Sequence, residues 1–243
     1  MMNTAWTQYT ENNDLFNKYC PEVGLIWKSK APAGCVCIAV SQIMAYHEFP
    51  TNLTCNGIRI DYPSIKKIFY YNGEALVGNG TETSREMLAQ FCNIVGGWCN
   101  IRYHSFFGES FGFAWPWDAK ACLETFRYKN VSLNLGYDES QVLEALDNGC
   151  PVFISAIARF LQGHAWVIDG YIKREYVSNK GTVKDSKTLV HCNWGWAGDC
   201  NGYFTSGVFH TQEAEMYDAG LGSNEKYKYF CAFNTITYDN PRN

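Results

Sequence analysis

Apolar positions recur with helical spacing between Gly34 and Pro50, in the stretch G-C-V-C-I-A-V-S-Q-I-M-A-Y-H-E-F-P. Val36, Ala39, Val40, Ile43 and His47 fall on one face and Ile38 and Met44 widen it, which predicts one buried helix. Gly34 permits a sharp turn into that helix. Phe49-Pro50 ends it, because proline has no N–H to donate and biases its predecessor away from the helical region. Upstream, Asn13 is placed to cap a short turn carrying Leu15, Phe16 and Tyr19. Downstream, residues 57–60 read as a short strand in otherwise irregular chain. The capping box Thr83-Ser84-Arg85-Glu86 opens a second helix, which buries Met87, Leu88, Phe91 and Ile94 or Val95 and ends at Gly96-Gly97. Residues 102–118 are rich in aromatics and glycines and read as a long loop, followed by a helix over about 117–126. Asp138-Glu139-Ser140-Gln141 opens a further helix through Val142, Leu143 and Leu146, closed by Asn148-Gly149 ahead of Pro151.

After Pro151 the period changes. Residues 152–158, 165–171, 188–194, 202–204 and 230–237 read as strands, and the polar stretch 173–187 as a protruding hairpin tip. The first half is therefore helical and the second largely antiparallel sheet, with no linker or repeat between them. The expected fold is a single α+β domain of two lobes with a cleft between them, a helical lobe over about 1–130 and a β lobe over about 131–243.

Composition narrows the function classes. Apolar residues make up 47% and charged residues 18%, which supports a packed core and argues against disorder. The net charge is −4 with no basic run, so no nucleic-acid surface is expected. No apolar run reaches the roughly eighteen residues that a membrane span needs. The opening Met-Met-Asn-Thr-Ala-Trp has neither a charged nor an apolar signal region, so no signal peptide is expected in these residues. Eleven cysteines are scattered without a pair of C-x-x-C motifs, which speaks for mostly reduced thiols rather than a structural metal site.

One of those cysteines stands apart. Cys35 is placed at the first turn of the predicted helix, where unpaired N–H groups and the helix dipole favour an anion. Such a position can lower a thiol from about 8.5 into a range of roughly 3.5 to 7.5. A free cysteine otherwise packs as a small hydrophobe, so the position alone decides nothing. Far downstream, Gly163-His164-Ala165-Trp166-Val167-Ile168-Asp169-Gly170 puts a histidine at the start of a strand that runs into the core. A cysteine nucleophile needs a base, usually distant in sequence and adjacent in the fold. A third stretch, Asn193-Trp194-Gly195-Trp196-Ala197-Gly198, sets an amide and two indoles beside glycines. Asn193 is expected to hydrogen-bond the imidazole and fix its tautomer, and Trp194 to stack over it and exclude water.

Together these stretches resemble the streptopain family of papain-like bacterial cysteine peptidases. That family carries G-C-V-A-x-A-x-A-Q-I-M-x-Y-H/W-x-Y-P at its nucleophile helix, G-H-A-F/W-V-I/V-D-G-Y/A at its histidine, and N-W-G-W-G-G followed by D/N-G-Y/F-F. This chain has Gly34 to Pro50, Gly163 to Tyr171, and Asn193 to Gly198 followed by Asn201-Gly202-Tyr203-Phe204. The family's upstream W-x-Q-x-x-P-Y/F-N segment is matched at its start by Trp6-Thr7-Gln8. The resemblance covers nearly the whole chain in the same order. It departs at Cys37 and Ala197, which stand for an alanine and a glycine, in the longer stretch between His164 and Asn193, and in the aromatic character of 102–118.

The resemblance implies a papain-like two-lobed fold and a cysteine endopeptidase with a Cys35–His164 dyad, Gln8 in the oxyanion hole, and Asn193 and Trp194 as supports. It further implies that Gly163, Phe111 and Phe113 border the substrate. No cofactor or metal is implied. Partners would be protein or peptide substrates, and a pro-segment or proteinaceous inhibitor, with no nucleic acid. A secreted or envelope-associated location after processing follows from the same likeness, and a pro-segment is not expected within these residues. Two rivals keep the fold: an acyltransferase or amidase using the same dyad, and an inactive member acting as a binding protein.

Overall fold

The computed structural model describes every residue except 11, 26, 27, 69, 72, 73, 76–79, 107, 159–161, 178–182 and 219–226, with backbone alone at 70, 71, 74, 75 and 106. Among the described residues the first half holds four helices, α1 (Cys35–His47), α2 (Tyr62–Ile65), α3 (Glu82–Trp98) and α4 (Pro116–Thr125), and α5 (Glu139–Asp147) lies just beyond it. Small antiparallel pairs decorate them: β1 (Glu22–Val23) with β2 (Ser29–Lys30), β3 (Thr54–Cys55) with β4 (Ile58–Arg59), and β5 (Tyr70–Tyr71) with β6 (Glu74–Ala75). A longer hairpin joins β7 (Arg102–Phe106) to β8 (Glu109–Phe113).

The second half is organised by one antiparallel sheet. Its strands are β9 (Ser132–Leu135), β10 (Val152–Ile157), β11 (Gly163–Val177), β12 (Val183–Asn193), β13 (Gly202–Thr205), β15 (Met216–Tyr217) and β17 (Cys231–Thr237), in the order β15-β13-β12-β11-β10-β17-β9. A separate pair joins β14 (Phe209–His210) to β16 (Lys228–Tyr229). Burial along β11 shows why the pairing is so regular. His164 to Asp169 are buried, and the strand then runs out into solvent, where it pairs with β12 from Lys173 to Val177. The polar stretch read as a hairpin tip is therefore ribbon over its described part, and residues 178–182 lie outside the described residues.

Helix α1 is the shared core element. Apart from Cys35 and Tyr46 every one of its residues is buried, as expected of a helix surrounded by packing partners. It contacts β11 and β10 on one side and α3 and α4 on the other. Gly96 of α3 faces Cys37 of α1, and a Cβ there would lie in ordinary contact with Cys37 Sγ at 3.5 Å. The C-terminal end of α1 is capped from far away: Arg242 donates from Nη2 to the Tyr46 carbonyl (2.6 Å) and from Nε to the His47 carbonyl (3.0 Å). A cation there complements the negative end of the helix dipole.

Three local expectations are corrected. Helix α3 starts earlier than the capping box suggested: Thr81 is the cap, its hydroxyl accepting from Ser84 N–H at 3.2 Å. Thr83 lies within the first turn, and the helix runs through Gly96-Gly97 to Trp98. Residues 102–113 form the β7–β8 hairpin rather than a loop, since alternate aromatics pair across it, as with His104 and Phe111 (5.6 Å between ring centroids). Asn13 takes the left-handed conformation (φ 51°) and caps no helix; instead Thr10 Oγ1 accepts from Asp14 N–H at 3.0 Å.

Candidate active site

Cys35 is the first residue of α1, and Gly34 before it has φ 92° and ψ 140°, a backbone conformation closed to residues with a Cβ. Gly112 of β8 packs directly on this turn: a Cβ at Gly112 would meet Gly34 Cα at 3.2 Å and the Pro32 carbonyl at 3.1 Å. Two glycines thus let the hairpin lie against the approach to the helix, with Phe111 and Phe113 on either side of the contact and partly exposed. From the other side comes β11. The backbone N–H groups of Ala165, Val36 and Cys35 itself favour charge on the Cys35 sulfur. Ala165 is the residue after His164, so the start of β11 meets the start of α1.

The imidazole of His164 is buried and its Nε2 lies 2.8 Å from the backbone carbonyl of Trp194. A carbonyl only accepts, so Nε2 carries the proton and the lone pair resides on Nδ1. This corrects the role expected of Asn193. Its side chain is buried and already used: Nδ2 donates to the Thr4 carbonyl (2.6 Å) and Oδ1 accepts from Gly195 N–H (3.2 Å). The tautomer is set by the Trp194 carbonyl; the N–H of that same peptide, on Gly195, is the one Asn193 holds, while Asn201 holds the preceding peptide, its Oδ1 accepting from Trp194 N–H at 2.9 Å. Asn201 was visible only as part of a motif, with no reason in the sequence to assign it a task. Gly202 beside it has no substitute, since a Cβ there would meet the Met216 carbonyl at 2.3 Å.

Stacking over the histidine also differs from expectation. Trp196 is the nearer indole, with its ring centroid 4.5 Å from that of His164, against 6.2 Å for Trp194. Trp194 stacks on Trp166 (4.6 Å) behind it and is fully buried. The result is a layered aromatic wall, with Trp196 facing the histidine and Trp194 supplying the carbonyl. Ala197 takes φ 57°, the left-handed region that favours glycine.

The N-terminal residues form a strap between sheet and helices, held at alternate positions. Met2 N–H donates to Asp169 Oδ2 (2.6 Å), Thr4 O accepts from Asn193, Trp6 O accepts from Ala197 N–H (3.0 Å), and Gln8 O accepts from Ala33 N–H (2.7 Å). Trp6 is fully buried and donates from Nε1 to the Ile68 carbonyl (2.8 Å). Gln8 is therefore fixed beside the turn that leads into Cys35. Gly163 is exposed and pairs with Ile157 at the sheet margin.

Electrostatics at the pair run against the expectation of a lowered thiol. Burial pushes the Cys35 thiol up, and the N–H groups aimed at it only partly compensate. Burial likewise pushes His164 down to about 4, with the Trp194 carbonyl working the other way. Both groups rest neutral because each loses more water than the helix end or the carbonyl returns in hydrogen bonding. Cys37, two residues on, faces α3 and lies 3.2 Å from the Cys92 carbonyl, away from His164. All eleven cysteines are free thiols.

Streptopain of Streptococcus pyogenes serotype M28 is 26% identical over 200 residues, covering 72% of this chain and 45% of streptopain. The serotype M1 streptopain is 27% identical over the same coverage. This chain thus spans about half the length of the curated relatives it matches. Among solved structures, a fragment of Prevotella intermedia prointerpain A superimposes with a TM-score of 0.61 at 22% identity, over 97% of this chain and 69% of that one. The model of the Peptidase C10 family matches residues 6–204, which takes in Trp6 and Gln8, α1, β11 and the turn that carries Trp194 and Trp196, and the chain belongs to that family.

Proposed function

We propose that this chain is a cysteine endopeptidase of papain-like, two-lobed design, with a helical lobe over about 1–130, a β lobe over about 131–243 and the cleft where α1 meets β11. The observation that carries the reading is the meeting of the Cys35 sulfur with the N–H of Ala165 beside a His164 whose Nε2 is committed to the Trp194 carbonyl. That leaves Nδ1 as the base. The Cys35 proton passes to Nδ1 as the sulfur attacks the scissile carbonyl carbon. The Cys35 N–H and the Gln8 side chain hold the oxyanion. The resulting imidazolium gives its proton to the leaving amine, and water, deprotonated by His164, then hydrolyses the thioester and restores the thiol. Burial holds each partner neutral at rest, so charge separation occurs only as the two ionise together.

No step calls for a metal or cofactor. The substrates are proteins or peptides. Phe111 and Phe113, beside the Gly34–Gly112 contact, and Gly163, at the margin of β11, border their path and favour bulky apolar side chains near the scissile bond. A pro-segment or proteinaceous inhibitor is the further partner, and the site of action is outside the cell or at its envelope after processing. No helix among the described residues is long and apolar enough to cross a membrane.

The test is digestion of a denatured protein under reducing conditions, with cleavage sites mapped by mass spectrometry. Cleavage by the parent, none by Cys35→Ala, and none by a folded His164→Ala variant is the expected outcome. Turnover retained by His164→Ala refutes the dyad. Product transfer onto an added amine, in place of hydrolysis, would replace the peptidase reading by an acyltransferase.

A further inference from the structure

Away from the dyad, β11 and β12 bury a second set of charged groups that the proposed chemistry does not use. Asp169 lies on the same strand as His164, on β11, and its carboxylate has no exposure to solvent. One oxygen is hydrogen-bonded by His191 Nδ1, and the other accepts the Met2 backbone N–H. His191 is itself buried, and its Nε2 reaches Asp218 Oδ2 at 2.9 Å. Tyr203 of β13 packs edge-on to the imidazole (5.1 Å) and directs its hydroxyl to the Met1 sulfur. On the other side, Gly170 leaves room for Met1, since a Cβ there would meet Met1 Cγ at 2.8 Å. A buried ion pair adds little net stability compared with apolar packing. Here it does something packing cannot: it presents one fixed acceptor to one particular backbone N–H.

We infer that Asp169, oriented by His191, is a positioning residue for the oxyanion hole, clamping the end of the N-terminal strap so that Gln8 stays in register beside Cys35. The inference rests on the reading of Gln8 given above. The path is short and continuous. Asp169 holds Met2, Asn193 holds Thr4, Ala197 holds Trp6, and Ala33 holds Gln8. Three of the four anchors belong to the sheet half and the last to the approach to α1, so the strap carries the geometry of the histidine side to the nucleophile side. Asp169 and His164 both lie on the buried part of β11, so one rigid element fixes the base and the far end of the oxyanion donor's tether.

Asp169→Ala removes the clamp, whereas Asp169→Asn can keep it. The Asn oxygen accepts from Met2 N–H, and its amide donates to the Nδ1 of a neutral His191, whose Nε2–H still serves Asp218. Two readouts are taken: amide hydrogen exchange of residues 2–8 in a Cys35→Ala background, and kcat and KM in the active enzyme. Expected for Asp169→Ala are exchange of residues 2–8 at least about tenfold faster and kcat lower by about tenfold to a hundredfold, in the range for a catalytic group displaced by about an ångström, with KM little changed. Asp169→Asn should stay close to the parent in both. If Asp169→Ala does not fold, Met2→Pro behind a short N-terminal tag removes the same hydrogen bond from the donor side and should accelerate exchange of the strap likewise. Unchanged exchange in these variants, unchanged kcat in Asp169→Ala, or an Asp169→Asn variant as loose as the alanine one overturns the inference. Gln8→Ala with a parent-like kcat sinks the oxyanion reading instead, and exchange then still decides the clamp.

Discussion

Stability should fall as pH rises from 6.5 to 8, and His191 is the reason. Burial works against its charge, but the carboxylates of Asp169 and Asp218 outweigh burial and raise it to about 9. An unfolded histidine titrates near 6.5. The folded state therefore holds this proton more tightly, and the stabilisation is fully present below about pH 6.5 and lost as pH rises through 9. The whole shift corresponds to about 3 kcal/mol, of which about 1.5 kcal/mol is lost between pH 6.5 and 8. For a chain of 243 residues that is a fall in Tm of about 3–6 °C. Asp218 is half exposed while Asp169 is not, so salt should weaken part of the effect and leave the rest. His47 and His164 act in the opposite sense. Burial pushes each to about 4, so their share of stability is lost as pH falls below 6.5. Stability should thus peak near pH 6.5. Urea unfolding of the Cys35→Ala variant, which cannot digest itself, measures the curve, and His191→Gln should flatten its alkaline limb. A stability that is flat or rises from pH 6.5 to 8 refutes the charge assigned to His191.

Other expectations bear on the site directly. Gln8→Ala should lower kcat by about 10²–10³ with KM and Tm little changed, and a kcat within threefold of the parent in steady-state assays removes the oxyanion assignment. Brief iodoacetamide treatment at pH 6 should label Cys35 first, because His164 Nδ1 takes its proton as the sulfur reacts while the other thiols are buried, apart from the exposed Cys231; peptide mapping that finds Cys37 or Cys231 labelled first counts against a dyad. Trp196→Ala should open the His164 ring to water and raise its pKa from about 4 towards the ordinary value, visible as an upward shift of the acidic limb of kcat/KM. An unmoved limb would mean that Trp196 does not shield the ring.

Much of this site was legible in the sequence because its backbone requirements are local. Gly34 before Cys35, and Gly163 before His164, mark an abrupt turn and a strand start, and helical periodicity places Cys35 at an end. The α+β division and the strands of the second half were readable for the same reason, since a period of 3.6 gives way to a period of 2. What could not be read was which of several neighbouring polar atoms makes each hydrogen bond. Asn193 and the Trp194 carbonyl are one residue apart, and only the turn at Gly195 (φ 70°) decides that the carbonyl reaches His164 while the amide turns to Thr4. The choice between Trp194 and Trp196 as the ring over the histidine depends on the same turn. The β7–β8 hairpin was hidden by its glycines, which look like loop signals but serve a close approach at Gly112. The lowered thiol failed because helix-end electrostatics is visible in sequence and desolvation by β11 is not.

The bracing of α1 by distant residues has a consequence in time. Residues 35–47 are made long before Asn193 and Ala197, which steady the strap that carries Gln8, and before Arg242, which closes the far end of the helix. A growing chain therefore carries Cys35 before it has His164, the sheet anchors of the strap or that cation. On the chemistry proposed above, the order of synthesis alone acts as a safety catch, keeping a half-made chain from cutting its neighbours on the same message.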